Sequence, residues 1–549
     1  RTGSRNEWFR CSVDDLRAAV IAVKERQSLN IGRVFNFPLR PEQKKAIERA
    51  KNYFKSYKTT ETKTPHILWN CKMRFGKTFT AYKLAQEMQW KKVLILTFKP
   101  AVENSWKEDL ESHIDFKGWQ FISRSTQSID DINQKNPFVC FASFQDFLGK
   151  NKAGGLKPKN EWAHDIDWDC IVLDEYHYGA WREKAQDLFE TDDSQEASYQ
   201  SNKTLKDFDY TELPITTNHF LILSGTPFRA LDSGEFLENQ IFNWTYSDEQ
   251  REKKNWKGKE NPYASMPQMI LMTYQLPKNL IEIIKGGEFD EFDLNDFFAA
   301  KGVGEKAKFE HESEVQKWLD LIRGEYLETS LDNLKLGAKK PPLPFKDSRL
   351  LGLLSHTLWL LPNVAACFAM KNLIEQKQNI FYQGYNIVVA AGNKAGIGVD
   401  ALPPVRKAMI DPLKSKSITL TCQKLTTGVT VKPWSGIFML RNTSSPEMYF
   451  QAAFRVQSPW TEKNPDNKSP NKDEIIKKQC FIFDFALNRS LRLIADYSCR
   501  LNTDEDNPEK KVKEFINFLP VLAYDGISMK QIDAAGVLDI AMSGTSATL

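Results

Sequence analysis

The chain has no arrangement of cysteines that would cross-link it or hold a metal. Its eight cysteines, at positions 11, 71, 140, 170, 367, 422, 480 and 499, are scattered, and none form a Cys-x-x-Cys pair. Thiols isolated in apolar, strand-like runs read as reduced core residues of an intracellular, cytoplasmic protein, not as disulfides or a zinc site. The seven histidines (66, 113, 164, 177, 219, 311 and 356) lack ligand spacing as well. Long hydrophobic runs are missing. The most apolar stretch, "HTLWLLPNVAACFAM", is too short and too broken by Pro362 and Asn363 to cross a membrane. No signal peptide opens the chain. Neither sign of charge dominates: 75 Lys plus Arg against 71 Asp plus Glu leave +4. That balance neither demands nor excludes a nucleic-acid partner, because a basic groove fits within a near-neutral total.

What is present suits a soluble protein of several domains. The 549 residues are 41% hydrophobic and 27% charged. Short β-branched runs alternate with helical segments, the pattern of parallel sheets covered by helices. One set lies between residues 66 and 225: "HILWNC", "KKVLILTF", "FVCFASF", "DCIVLDE" and "HFLILSG". A second lies between 356 and 485: "HTLWLL", "YNIVVAAG", "SITLTC", "SGIFML" and "CFIFDF". Near-continuous apolar runs imply strands buried on both faces, so the expected class is α/β with two parallel-sheet domains in tandem, at 35–245 and 346–500. Residues 246–345, rich in charge, read as a helical insertion or linker. Residues 1–34 read as a flank, the possible tail of an upstream domain, and 501–549 as a truncated helical flank. The stretches 191–212 and 461–474 read as solvated loops. A first residue that is not methionine and a last stretch, "SGTSATL", with no obvious helix end suggest a piece of a longer polypeptide.

Two segments carry chemistry. In "NCKMRFGKTFTAYKLA" (70–85) an apolar strand runs into Gly76-Lys77-Thr78 and then a helix. A turn of this kind offers backbone N–H groups and a helix N-terminus to phosphate oxygens. Lys77 would reach the β- and γ-phosphates and the Thr78 hydroxyl would ligate magnesium. Arg74 and Phe75 complete the loop. Cys71 stands where the usual pattern has its first glycine, which is expected mainly to ease the turn. In "DCIVLDEYHYGAW" (169–181) a buried strand would place Asp174 and Glu175 at the carboxyl edge of a sheet, where open α/β sheets bind ligands. Asp174 would then hold magnesium through water, and Glu175, also at the metal, would orient and deprotonate the attacking water. An ordinary surface turn and a capping acidic pair are the plain readings of the two segments taken separately.

Asp174-Glu175-Tyr176-His177 resembles the DExH box of superfamily 2 helicases, of the wider DEAD/DEAH type, and other segments fall in that family's order. "LRPEQKKAI" (39–47) resembles the upstream adenine-reading motif, with Gln43 as base contact. "LTFKPAVENSWKEDL" (96–110) resembles the motif on which a nucleic-acid backbone rests, which implies contacts from Thr97, Lys99 and Pro100. "FASFQDF" (141–147) resembles the next strand-contact motif, with Ser143 and Gln145. "LSGTPFRAL" (223–231) takes the place of the motif coupling hydrolysis to domain movement, with Ser224, Gly225 and Thr226, to which His177 would link the nucleotide. "KLTTGVTVKPW" (424–434) resembles the fifth motif, with Thr426, Thr427 and Gly428 toward a bound strand. "SSPEMYFQAAFRVQSPW" (444–460) resembles the sixth, with Gln451 and Arg455 toward ATP.

The match covers roughly residues 35–490 and looks closest to helicase subunits of bacterial restriction systems, including type III restriction-like proteins. It implies two RecA-like domains, ATP and magnesium as cofactors, DNA as the track, and a methyltransferase or nuclease partner. A GIY-YIG nuclease is one fusion such helicases carry upstream. The sixth motif departs from the pattern: Ser458 holds the place of a second arginine, which leaves Arg455 as the expected finger.

The expected function is therefore a DNA-dependent ATPase that moves on duplex DNA. An endonuclease with its cutting domain in this chain, or a scaffold switched by ATP, is the alternative, and RNA is a lesser track. No Asp…Glu-x-Lys nuclease constellation is legible. Trp106, Trp181 and Trp434 either stack on bases or pack in the core.

Overall fold

The computed structural model describes residues 33, 35–57, 64–97, 102–123, 133, 135–144, 161–174, 215–225, 236–277, 280, 292–325, 341–392, 401–426, 429–443, 445–463, 473–501, 507–524 and 528–543. These fall into two compact units, one of residues 1–244 with 461–476 and the other of residues 245–460 with 477–549.

The first domain is built on a seven-stranded parallel sheet in the order β3-β4-β2-β5-β6-β1-β7. Its strands are β1 (His66–Cys71), β2 (Lys92–Thr97), β3 (Gln120–Ser123), β4 (Phe138–Ser143), β5 (Cys170–Asp174), β6 (Phe220–Ser224) and β7 (Ile241–Trp244). Every residue of β5 and β6 is buried, as strands covered on both faces must be. Three helices position the site: α1 (Pro41–Ser56), α2 (Lys77–Glu87) and α3 (Glu103–Ser112). Pro41 suits the first position of α1, where no backbone N–H is needed. Leu68, Leu94, Ile171 and Ile222 from neighbouring strands pack with Phe138 and Trp168 into one apolar cluster.

The second domain has an eight-stranded sheet in the order β12-β13-β11-β14-β17-β8-β18-β19. The strands are β8 (Gln268–Tyr274), β11 (His356–Leu360), β12 (Asn386–Val389), β13 (Ser417–Thr421), β14 (Gly436–Met439), β17 (Gln479–Asp484), β18 (Val521–Tyr524) and β19 (Met529–Gln531). All neighbours pair in parallel except β18 with β19. A small antiparallel pair, β9 (Ala300–Lys301) and β10 (Lys308–Phe309), lies outside the sheet. The core is aromatic. Trp318 on helix α4 (Glu312–Ile322) packs edge-on against Trp359 and Phe485, with ring centroids 5.7 and 5.2 Å apart. Each such pair contributes about 0.5–1.5 kcal/mol beyond its buried area.

All ten strands expected from the apolar runs form, five in each of two domains built on a parallel or mostly parallel sheet. The structure differs from expectation at the flanks. Residues 246–345 hold helices, as expected of an insertion or linker, but not helices alone: their run "QMILMTY" is β8, paired on both sides inside the second sheet. Residues 501–549 are not helical throughout, because β18 and β19 extend that sheet. Both runs lie within segments that are polar and charged on average, so segment-wide composition conceals them. The expected loop 461–474 begins and ends in a ladder between β15 (Thr461–Lys463) and β16 (Asp473–Ile475). Residues 1–32 and 191–212 lie outside the described residues. Among the described residues the seven cysteines are free and no helix is long and apolar enough to cross a membrane.

Burial holds His356 below its ordinary range, with its ring between Ser417 Oγ (2.8 Å) and the Pro412 carbonyl (2.9 Å). The fold thus favours the neutral ring, whereas the unfolded chain takes up a proton near pH 6.5. This contribution is present above that pH and is lost as pH falls. In thermal melts from pH 7.5 to 5.5, His356→Gln should therefore lose less stability than the parent; an equal or greater loss would contradict the assignment.

Candidate functional site

Parallel pairing brings the carboxyl ends of β1, β2, β5 and β6 to one edge of the first sheet. Asn70 lies in register with Ser224, and Thr97 with both Asp174 and Ser143. The loop from Cys71 to Gly76 leaves this edge and enters α2, whose N-terminus carries no side-chain cap from Gly76.

Two loop residues are left-handed, Arg74 at φ +70° and Gly76 at φ +83°. Cys71 is the last residue of β1 and does not share that conformation, so a glycine is not needed there. The turn that calls for conformational freedom is displaced to Arg74 and Gly76, which corrects the expectation that the first position eases it. A methyl group at Gly76 would stand 2.8 Å from Gln43 Nε2. The loop is held from outside by α1. Gln43 Nε2 donates to the Phe75 carbonyl at 2.8 Å, and its Oε1 accepts from Arg40 N–H at 2.9 Å. Arg40 Nη2 donates to the Phe75 carbonyl at 2.5 Å and its Nε to Glu42 at 2.6 Å. Gln43 is only 5% exposed, with both ends of its amide engaged by protein. Phe75 is fully buried, and burial lowers the Arg74 guanidinium to about 10, still charged at neutral pH.

Lys77 Nζ donates to the Cys71 carbonyl across its own loop at 2.7 Å. A methyl added at Gly225 would lie 3.6 Å from both Lys77 Nζ and that carbonyl, so the Ser224–Gly225 segment borders the loop directly. The Thr78 hydroxyl donates to Asp109 of α3. Burial raises the Asp109 carboxyl to about 6, against the downward pull of hydrogen bonds from Thr78 and the Phe79 backbone. Asp174 is 6% exposed and accepts from Trp106 Nε1 at 2.7 Å. A left-handed turn at a helix N-terminus with a lysine fits a polyphosphate. A hydroxyl and a carboxylate at one sheet edge are the hard oxygen donors that magnesium takes. Among the described residues no three His, Cys, Asp or Glu side chains gather as a metal site by themselves.

The structure thus brings Gln43, Arg74, Phe75, Gly76, Lys77, Thr78, Asp174, Ser224 and Gly225 to one region of the first domain. Lys99, Pro100, Gln145, Glu175, His177, Thr226, Thr427, Gly428 and Trp181 lie outside the described residues. Ser143 ends β4 at the same sheet edge, half-buried. Thr97 is fully buried, so its side chain belongs to the sheet core and is not the strand contact expected of it. Trp106 and Trp434 are also fully buried, the latter donating to Thr419 Oγ1 at 3.3 Å, which removes both as stacking platforms.

In the second domain Gln451 lies on helix α5 (Pro446–Ala453) and Arg455 follows its end. Arg455 is 5% exposed and donates to the Thr426 carbonyl at 2.7 Å and the Val429 carbonyl at 2.8 Å, joining the sixth-motif segment to the fifth. The Thr426 hydroxyl closes a local turn onto the Gln423 carbonyl at 2.6 Å. Ser458 is buried with its hydroxyl on the Arg455 carbonyl. The same segments are joined by Lys477, whose buried ammonium donates to the carbonyls of Lys432, Trp434 and Val456 at 2.7, 2.6 and 2.9 Å.

Sequence reasoning missed Arg40, Asp109 and Lys477. Arg40 and Asp109 stand inside motifs already singled out, and the three-residue spacing of Trp106 and Asp109 on a helix was the available signal. Lys477 had none. Gly76→Ala should lower stability by about 1–2 kcal/mol through left-handed strain and weaken ADP binding. Thermal melts and calorimetry check this, and a variant matching the parent in both would refute the role given to the turn.

A family model described as "Type III restriction enzyme, res subunit" matches residues 36–229. The chain is 31% identical over 534 residues to a Mycoplasma pneumoniae protein named as a type II restriction enzyme and methyltransferase, RM.MpnORF110P C-terminus, covering 90% of this chain and 70% of that one. Among solved structures it is similar to a fragment named as an HsdR subunit of a type I restriction enzyme from Vibrio vulnificus YJ016, at 13% identity, 91% and 71% coverage and a TM-score of 0.42. It is also similar to the ATP-dependent Type ISP restriction-modification enzyme LlaBIII bound to DNA, at 12% identity, 93% and 33% coverage and a TM-score of 0.49. With a relative this similar along nine-tenths of its length and the res-subunit model over its first domain, the chain belongs to that family of bacterial restriction enzymes.

Proposed function

We propose that this chain is an ATP-dependent DNA translocase, the motor of a restriction-modification or phage-defence system. The observation that carries the reading is the convergence of Lys77, Thr78, Asp174 and Gly225 on one sheet edge. In it, Lys77 exchanges the neutral Cys71 carbonyl for phosphate oxygens, a stronger, charge-assisted partner. Thr78 would ligate magnesium and Asp174 would hold it through water, while Glu175, also at the metal, would orient the attacking water. Magnesium, when bound, neutralises charge on the β- and γ-phosphate oxygens. Gln43 is the base contact, and Gln451 and Arg455 of the sixth-motif segment are the further residues assigned to ATP. The strand contacts are Lys99, Pro100, Ser143, Gln145 and Thr426 to Gly428, with His177 and Ser224 to Thr226 relaying the state of the nucleotide. The relative named as a restriction enzyme and methyltransferase supports DNA as the substrate and a methyltransferase or nuclease as the partner.

Purified protein should hydrolyse ATP negligibly alone and strongly with duplex DNA, measured as phosphate release. Lys77→Ala and Asp174→Asn should each lower the stimulated rate by about a hundredfold or more, the scale of losing one preorganised electrostatic group. Hydrolysis that ignores both DNA and RNA would overturn the motor reading. Magnesium-dependent nicking of supercoiled plasmid would favour the endonuclease instead.

A further inference from the structure

Helix α3 reaches both halves of the proposed metal site with two side chains one turn apart. Trp106 Nε1 donates to Asp174 Oδ2 at 2.7 Å, and Asp109 Oδ2 accepts the Thr78 hydroxyl proton. The Asp109 carboxylate also accepts from the backbone N–H of Phe79, so it takes up a donor at the start of α2 that Gly76 leaves without a side-chain cap. Trp106 has no room to turn away. Trp106 is fully buried, its ring meets Tyr82 edge-on at 5.3 Å, and its carbonyl accepts the Tyr82 hydroxyl at 2.9 Å.

The chemistry of the two contacts is complementary. A threonine hydroxyl has one proton and two lone pairs. Directing the proton onto Asp109 turns the lone pairs outward, toward a cation. An indole N–H on one oxygen of Asp174 fixes the plane of that carboxylate. We propose that Trp106 and Asp109 are positioning residues for magnesium, orienting from a single helix the Thr78 hydroxyl and the Asp174 carboxylate that would hold it. This rests on the reading of Lys77, Thr78 and Asp174 as the nucleotide–magnesium site. A role of this kind is visible in metal affinity, since partners that orient metal ligands are worth about 10–100-fold in binding.

The test uses the full chain and Mn²⁺ as the probe. Free Mn²⁺ is followed by electron paramagnetic resonance as it is titrated into protein saturated with ADP, and ADP affinity is measured separately in chelator. Trp106→Phe keeps the packing and removes the N–H, while Asp109→Leu keeps the volume and removes the acceptor. Each should weaken Mn²⁺ binding by about tenfold and leave metal-free ADP affinity within about twofold of the parent. Asp109→Asn, which retains one acceptor oxygen, should recover part of the loss. Unchanged Mn²⁺ affinity in both variants would overturn the proposal while leaving the nucleotide site standing. An equal loss of metal-free ADP binding would also overturn it, as the mark of a merely structural role. A parent that binds neither ADP nor Mn²⁺ would remove the underlying reading itself.

Discussion

The hydrogen-bonded seam between β1, β6, β5 and β2 is the constraint on which the first domain's chemistry depends. Parallel strands end on the same side, so pairing Asn70 with Ser224 and Thr97 with Asp174 delivers a loop, a carboxylate and a glycine to one edge. An antiparallel pairing of the same strands would send half of these groups to the opposite edge. The connecting loop then has to reverse into α2 within a few residues, and it does so through two left-handed residues. An arginine in that conformation costs about 1–3 kcal/mol. Hydrogen bonds from Arg40, Gln43 and Lys77 to the carbonyls of Cys71 and Phe75 offset that cost and hold the turn.

The second domain solves a related problem with cations in place of glycine. The described parts of its fifth-motif segment and the end of its sixth, beyond α5, are irregular backbone, whose carbonyls need donors once buried. Arg455 and Lys477 supply them, each reaching carbonyls well separated in sequence. A buried ammonium is tolerable only when its protons are matched, and Lys477 meets three acceptors. Deeper in the same domain Asp484 is fully buried beside Arg489, 2.9 Å away. Burial raises the Asp484 carboxyl while that guanidinium opposes the shift.

Legibility followed from how local each signal was. The ten strands of the two expected sets announce themselves because each is a short apolar run in its own right. Gly76-Lys77-Thr78 and Asp174 were readable for the same reason, since a strand end and a helix start are local events. The strand β8 was hidden in a charged stretch, and β7, "IFNW", is only partly apolar. Thr97 looked like a surface contact because its motif is one. Register with Asp174 and Ser143 puts it in the interior instead.

By itself the order of residues determined the α/β class, the tandem of parallel sheets and the position of the phosphate-loop motif, because apolar runs and the strand–turn–helix pattern act over a few residues. Tertiary structure alone decided that Trp106 meets Asp174, that Asp109 meets Thr78, and that Arg455 and Lys477 bind backbone carbonyls. Those partners stand between 21 and 68 residues apart in the chain. Which of many donors finds which acceptor is settled by packing of the elements that carry them, and no local pattern encodes that choice.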